Sequence, residues 1–214
     1  MIGDYIRDPE EIYAQSFAII RAEADLSGVP PELEEIVVRM VHACGMVDIV
    51  PEIRWGGEVA AQVEFALLEG AAILCDSEMV KAGISHKYLP QHVELVATIN
   101  DPAVPALAEK LGTTRAAAGV ELWQPRLKGA VVVIGNAPTA LFHLLELLDR
   151  GADRPAAIIA TPVGFVGAEE SKAQLALDLH RVPFLTLLGR RGGSAIASAA
   201  VNAIARNMEE NIKP

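Results

Sequence analysis

The segment Arg39-Met-Val-His42-Ala-Cys-Gly45-Met46 sets a titratable imidazole near the end of an amphipathic stretch. Histidine is the side chain whose ordinary pKa lies nearest neutrality, so an imidazole facing a bound ligand suits proton transfer. Read as a helix, residues 33–46 align Leu33, Val37, Met40, Val41 and Cys44 on one stripe that packs on a core. His42 falls off that stripe, beside Val38 and Gly45, with Arg39 one turn back. A plain surface histidine before a helix-ending glycine fits the same residues, and the segment alone leaves both readings open.

Arginines supply the second kind of chemistry. Arg115 stands in the first turn of Thr113-Thr-Arg-Ala-Ala-Ala-Gly119, where a planar guanidinium can hold a carboxylate through two hydrogen bonds. A solvated surface arginine is the ordinary alternative there. Arg190 and Arg191, set among glycines in Gly189-Arg-Arg-Gly-Gly-Ser194, admit the same two readings. Other chemistries lack their signatures. GRRGGS is not a dinucleotide fingerprint, GNAPTAL lacks the lysine and spacing of a phosphate loop, and no GxSxG elbow is present. His86 and His92 flank Pro90 at a poor metal-ligand spacing. His143 lies in an apolar helix as a core or interface histidine, and His180 ends a helix near Arg181. Cys44 and Cys75 belong to no CxxC pair and read as small buried hydrophobes in a reducing compartment. What remains is a site for a polyanionic organic ligand, with no metal.

The elements that must hold these residues are legible in the apolar pattern. Asp8-Pro9 caps a first helix that runs to Ala24, Gly28-Val-Pro30-Pro31 breaks it, and the His42 helix follows. A short extended piece covers Glu52–Trp55 and a further helix Glu58–Glu69. Five apolar runs then alternate with helical segments: Ala71–Cys75, Glu94–Thr98, Ala130–Ile134, Ala156–Ala160 and Phe184–Leu188. Continuous apolar strands between helices indicate a mainly parallel sheet covered on both faces, so the expected fold is a single doubly wound α/β domain of about five strands preceded by N-terminal helices. The tail from Asn207 is expected to fray.

In such folds a ligand lies beyond the carboxyl ends of the strands. The handovers there are Asp76-Ser77, Thr98-Ile-Asn-Asp101, Gly135-Asn-Ala-Pro-Thr139, Thr161-Pro-Val-Gly164-Phe-Val-Gly167 and Gly189–Ser194. Turn chemistry accounts for each singly; three glycine-rich ones on one edge point to a site whose helix N-termini offer N–H groups to carboxylates.

Composition narrows the classes. The 214 residues suffice for a full core; 51% are hydrophobic but only 5% aromatic, and the formal net charge is −10. An acidic total argues against nucleic acid and anionic membrane as partners. The opening MIGDYIRDPEEIY is charged and lacks an apolar signal core, so a cytoplasmic location is expected.

Five motifs in order, RMVHACGM, ILCDSEMV, GNAPTALF, PVGFVGAEESK and GRRGGSAIA, resemble the precorrin-8X methylmutase family from about Tyr5 to Arg206. The resemblance implies an isomerase of corrin biosynthesis that moves a methyl group from C11 to C12 of precorrin-8X, giving hydrogenobyrinic acid. It implies a homodimer without cofactor. It places the family's catalytic histidine at His42, which would assist a 1,5-sigmatropic shift as a general acid. Ser16, Arg39, Thr98 and Arg115 then become substrate contacts, Asn136, Thr139 and Gly164 line the ring, and Arg190 partners a carboxylate arm; Arg191 is not demanded by the family. The similar cobalt-precorrin-8 methylmutases act on a cobalt-containing ring and give cobyrinic acid. A tetrapyrrole-binding carrier would use the same pocket with His42 dispensable, and a generic nucleotide-binding domain would lack its fingerprint.

Overall fold

Four of the strands are buried along their whole length. They are β2 (Ile73–Cys75), β4 (Val131–Ile134), β5 (Ala157–Ala160) and β6 (Phe184–Leu187), and β3 (Leu95–Ala97) is half-buried at one side. β-branched and small apolar residues on both faces can be satisfied only by cover on both faces. The computed structural model describes residues 5–212, with side chains through Met208. It contains one six-stranded sheet in the order β1-β6-β5-β4-β2-β3, with β1 covering Ile53–Gly56.

The sheet has one strand more than the five apolar runs. The extended piece after Pro51 is strand β1 (Ile53–Gly56), which pairs antiparallel with β6, Ile53 opposite Leu187 and Gly56 opposite Phe184. Every other pairing is parallel. Only Ile53 of β1 is buried, so its four residues lack the continuous apolar signature of the inner strands.

Two cores cover the sheet. On one face lie α1 (Pro9–Glu23), α2 (Pro31–Cys44), α3 (Val59–Leu68), α4 (Glu78–Gly83) and α9 (Ser194–Ile212), against Ile73, Val131, Val133, Ile159 and Leu185. The other face carries α6 (Arg115–Glu121), α7 (Pro138–Asp149) and α8 (Ala168–Ala176), packed on Val132, Ile134, Ile158 and Ala160. Helix α5 (Val104–Leu111) rests on α6 through Val104, Ala108 and Ala118. The residue alternation along each strand thus sends successive side chains into opposite cores.

Caps fix the helix ends that matter below. Asp8 accepts the Glu11 N–H at 2.9 Å, and Pro9 occupies the first turn of α1. Gly45 ends α2 in the left-handed conformation (φ 69°), its N–H donating to the Val41 carbonyl. Helix α9 continues to Ile212, past Asn207, and residues 213–214 of the tail lie outside the described residues. No helix among the described residues is long and apolar enough to cross a membrane.

Candidate active site

The carboxyl ends of the five parallel strands share one edge, and the sequence-derived site residues fall along it in three groups. The first belongs to α1 and α2. His42 is exposed in the last turn of α2, although its neighbour Val38 is fully buried, so the helix buries a wider face than the expected stripe. The imidazole is lodged against two aromatic rings of α1: Phe17 lies edge-on at 5.1 Å between centroids and Tyr13 tilted at 5.7 Å. Ser16 is half-buried on the same stripe as Tyr13 and Phe17, one helical turn apart. Arg39 is engaged within the protein: its Nε lies 2.9 Å from the Glu35 carboxylate, and its guanidinium sits 5.0 Å from the Phe17 ring centroid. That Nε is buried and its N–H is out of line with Glu35, so the contact is electrostatic rather than an aligned hydrogen bond. Arg21 also reaches Glu34 and Glu35, at 3.0 and 2.7 Å. Arg39 therefore supports Phe17, which in turn supports His42.

The second group lies at the ends of β2, β3 and β4. Arg115 opens α6, exposed, with one guanidinium nitrogen donating to the Ile99 carbonyl at 3.0 Å and lying 3.5 Å from Asn100 Oδ1. Thr114 caps α6 by accepting the Ala117 N–H, and its hydroxyl meets that of Thr139 at 2.8 Å. The starts of α6 and α7 are thereby tied together. Thr98 has its hydroxyl turned inward, donating to the Gly119 carbonyl at 2.7 Å and accepting from the buried Trp123 indole at 2.9 Å. Its hydroxyl donor is thereby committed to α6. A cavity of about 620 Å³ opens here between Thr98, Asn100, Trp123 and Arg126.

The N–H groups of the loop that leads into α7 are taken by Asp76. This carboxylate, only 3% exposed, accepts from the N–H groups of Gly135 (3.1 Å), Asn136 (2.9 Å) and Ala137 (2.7 Å). Burial pushes its pKa up, against the opposing pull of those three donors. The loop is full from within, which leaves the exposed Asn136 side chain, not its backbone, to meet a ligand. Asp76 sits at a recognised strand end, yet its partners lie some 60 residues away, beyond local pattern reading.

The third group joins the ends of β5 and β6. The Gly164 N–H donates to the Arg190 carbonyl at 3.1 Å, and the Gly193 N–H to the Thr161 carbonyl at 2.7 Å. A side chain at Gly192 would place its Cβ 2.2 Å from the Thr161 carbonyl oxygen, so only glycine permits this approach. Arg191 is a fastening: its guanidinium donates to the Asp48 carboxylate at 2.7 Å and to the Asp48 carbonyl at 3.1 Å. Those bonds tie the β6–α9 loop to the 3₁₀ turn Val47–Glu52 that follows α2. The Arg191 carbonyl accepts from Lys172 Nζ at 2.6 Å, and Lys172 is fully buried in α8. Burial brings the Lys172 pKa down to about 8, with Glu169 acting the other way. Arg190 is exposed and makes no ion pair among the described residues; a cavity of about 350 Å³ opens beside it, bounded by Glu52, Glu169 and Leu188.

The Arg191–Asp48 bonds tie the turn that follows the His42 helix to this edge, but no hydrogen bond joins one of the three groups of site residues to another among the described residues. Both cysteines are free, and burial raises both thiols, Cys75 to about 12, so neither is a ready thiolate near neutrality. His143 is buried and bonded to Glu121 at 2.7 Å, away from the edge, and His180 meets Asp149 at 2.8 Å. No group of three or more His, Cys, Asp or Glu close enough to hold a metal ion occurs among the described residues. Sequence reasoning assigned no role to Tyr13, Phe17 or Lys172, and marked Asp76 only as part of a strand-end handover. The i, i+4 spacing of Tyr13 and Phe17 was the available signal for the first two.

A mainly parallel sheet with helices on both faces and a polar, arginine-bearing carboxyl edge defines the doubly wound α/β class, whose members hold ligands beyond their strand ends. Residues 11–207 match the family CbiC, precorrin-8X methylmutase. The precorrin-8X methylmutase of Pseudomonas aeruginosa is 56% identical over 96% of this chain and 99% of its own, and that of a Sinorhizobium species 53% identical over 95% and 97%. Relatives named cobalt-precorrin-8 methylmutase are more distant, at 33–38% identity. Among solved structures, the Thermus thermophilus precorrin-8X methylmutase superposes with a TM-score of 0.84 at 34% identity, covering 94% of this chain and 97% of the other. The chain belongs to the precorrin-8X methylmutase family of cobalamin biosynthesis.

Proposed function

We propose that the protein converts precorrin-8X to hydrogenobyrinic acid by moving the methyl group at C11 to C12, with His42 as the general acid and no cofactor. The observation that carries the reading is the placement of His42: an exposed imidazole, braced between two aromatic rings, at the strand-end edge of a chain of this family. A 1,5-sigmatropic shift needs no nucleophile. A proton or hydrogen bond delivered to the conjugated ring lowers its barrier, a contribution of about 10²–10⁴-fold for positioned acid–base catalysis. Holding the ring near product geometry adds to that.

The substrate is wide, flat and edged with carboxylate arms, and the edge offers dispersed contacts to match. Arg115 and Arg190 take carboxylates, Asn136 and Thr139 approach the ring between them, and Gly164 keeps the loop close to it. Ser16 presents a hydroxyl beside His42, while Arg39 and Thr98 act through the residues they hold. The greater identity to relatives named for precorrin-8X favours the metal-free ring over the cobalt-bearing one. The proposal includes a homodimer in the cytoplasm, in keeping with the family resemblance; nucleic acid and membrane are not partners of so acidic a chain.

The test is spectral. Purified protein incubated with metal-free precorrin-8X is expected to yield the hydrogenobyrinic acid spectrum, and His42→Ala to retain binding while losing conversion by at least about 100-fold. Wild-type turnover by His42→Ala overturns the role of the histidine. Binding without conversion by the wild type makes the protein a carrier, and conversion of the cobalt-bearing ring alone makes it the cobalt-dependent enzyme.

A further inference from the structure

The loop after β5 carries an apolar tip that the catalytic reading does not use. Phe165 and Val166 are 86% and 87% exposed, in a molecule whose other aromatic rings are few. They stand between Gly164 (φ 152°) and Gly167 (φ 78°), two backbone conformations that glycine supplies. Water alone is a poor environment for a whole phenyl ring, and singly exposed hydrophobes are common. What distinguishes this ring is its neighbour. The Arg190 guanidinium lies 5.6 Å from the Phe165 centroid and has no carboxylate partner among the described residues.

The two are held in register by backbone. The Gly164 N–H bonds to the Arg190 carbonyl directly beneath the pair, and the Gly193–Thr161 bond closes the loop behind it. Lys172 and Asp48 fasten the adjacent Arg191 from two sides, so Arg190 is the member of the arginine pair left to meet a ligand. An aromatic face and an unneutralised guanidinium, fixed side by side, complement a ligand with an apolar plane whose rim bears a carboxylate.

We propose that Phe165 and Arg190 form one composite substrate contact, in which the phenyl ring covers the apolar rim of the macrocycle and the guanidinium takes the carboxylate arm beside it. This inference rests on the tetrapyrrole reading above and assigns Phe165 as a specificity residue. The loop tip is covered by ligand when the site is filled and bare when it is empty.

The experiment is a double-mutant cycle with Phe165→Ala, Arg190→Gln and the combined variant, assayed with metal-free precorrin-8X and by direct titration with hydrogenobyrinic acid. Each single variant is expected to raise KM and the product Kd about tenfold with kcat changed less than about threefold. The double variant is expected to lose about 10–30-fold in affinity rather than the ~100-fold of independent contacts, because removing either group disturbs the other's hold on the ligand. Phe165→Trp should restore affinity and show indole quenching on product addition. Wild-type affinity in Phe165→Ala overturns the proposal, as does a fully multiplicative double variant. Loss of self-association by Phe165→Ala, seen in sedimentation, also overturns it by assigning the tip to a second copy. A wild type that turns over no precorrin-8X defeats the underlying reading instead, so the two failures are separable.

Discussion

Lys172 is the residue whose chemistry is most at odds with its surroundings. A fully buried ammonium keeps one bond, to the Arg191 carbonyl, and its pKa falls from 10.5 to about 8 because burial disfavours the charge. In the folded state the proton leaves at a lower pH than in the unfolded chain. Between about pH 8 and 10.5 the unfolded chain therefore holds more protons, and raising pH stabilises the fold. Lys172→Met lacks this linkage. The stability of the wild type relative to Lys172→Met is expected to rise through that window by up to about 1.4 kcal/mol per pH unit, as measured by denaturant unfolding at pH 7.5 and 10. A difference that stays flat shows that the ammonium is not buried as described. In the sequence Lys172 closes the motif PVGFVGAEESK, but nothing in the motif signals that its side chain is buried. By contrast His42 was legible, because its helix periodicity and the following glycine are local signals; the rings that brace it were not, since Tyr13 and Phe17 arrive from a different helix.

At the scale of elements, the five parallel strands were readable as runs, and the antiparallel edge strand only as a short extended piece, Glu52–Trp55, with no place in the sheet. Val131–Ile134 and Ala157–Ala160 fall inside the expected runs 130–134 and 156–160, because strands buried on both faces must be apolar throughout. Ile53–Gly56, with Arg54 exposed and Trp55 half-buried, carries no such constraint, and its pairing with β6 is a tertiary fact. The loops were legible by their glycines but not by their bonds. Gly192 illustrates the difference: its sequence context suggests a flexible turn, while its surroundings demand the absence of a Cβ. Gly192→Ala must push the β6–α9 loop off Thr161, breaking the Gly193–Thr161 bond and moving Arg190. It is expected to cost about 2 kcal/mol or more in stability and to raise KM for precorrin-8X at least about tenfold, by thermal melting and steady-state assay. Wild-type KM in a folded Gly192→Ala protein shows that the loop's position is irrelevant to binding.

The whole molecule presents several large apolar side chains to solvent outside the loop tip. Ile12, Tyr13 and Ile19 stand on α1, and Phe65 and Leu68 on α3. Association of two copies is one way to cover such surface. Sedimentation equilibrium is expected to return about twice the 22.8 kDa chain mass, and a monomer at micromolar concentration removes the homodimer from the proposal. The doubly wound architecture itself was legible from the alternation of runs and helices, since few topologies accept that order. The strand-end handovers of the second and third groups were legible as one edge; the fastening of the turn after α2 to that edge was not, because the Arg191–Asp48 bonds join residues 143 positions apart.

The pairing of β1 with β6 has a consequence in time as well as in space. Ile53 meets Leu187 across more than half of the chain, and the Arg191–Asp48 bonds span 143 residues. Contacts of such long sequence separation are slow to close, because the loop entropy is lost before they reward it. A ribosome releases α2 early and β6 late, so the histidine helix waits, with its stripe unmatched by α9, for almost the entire synthesis. The strand-end edge comes into being only as the last strand and helix dock, and a nascent chain cut short before Phe184 has the imidazole but nothing to hold against it.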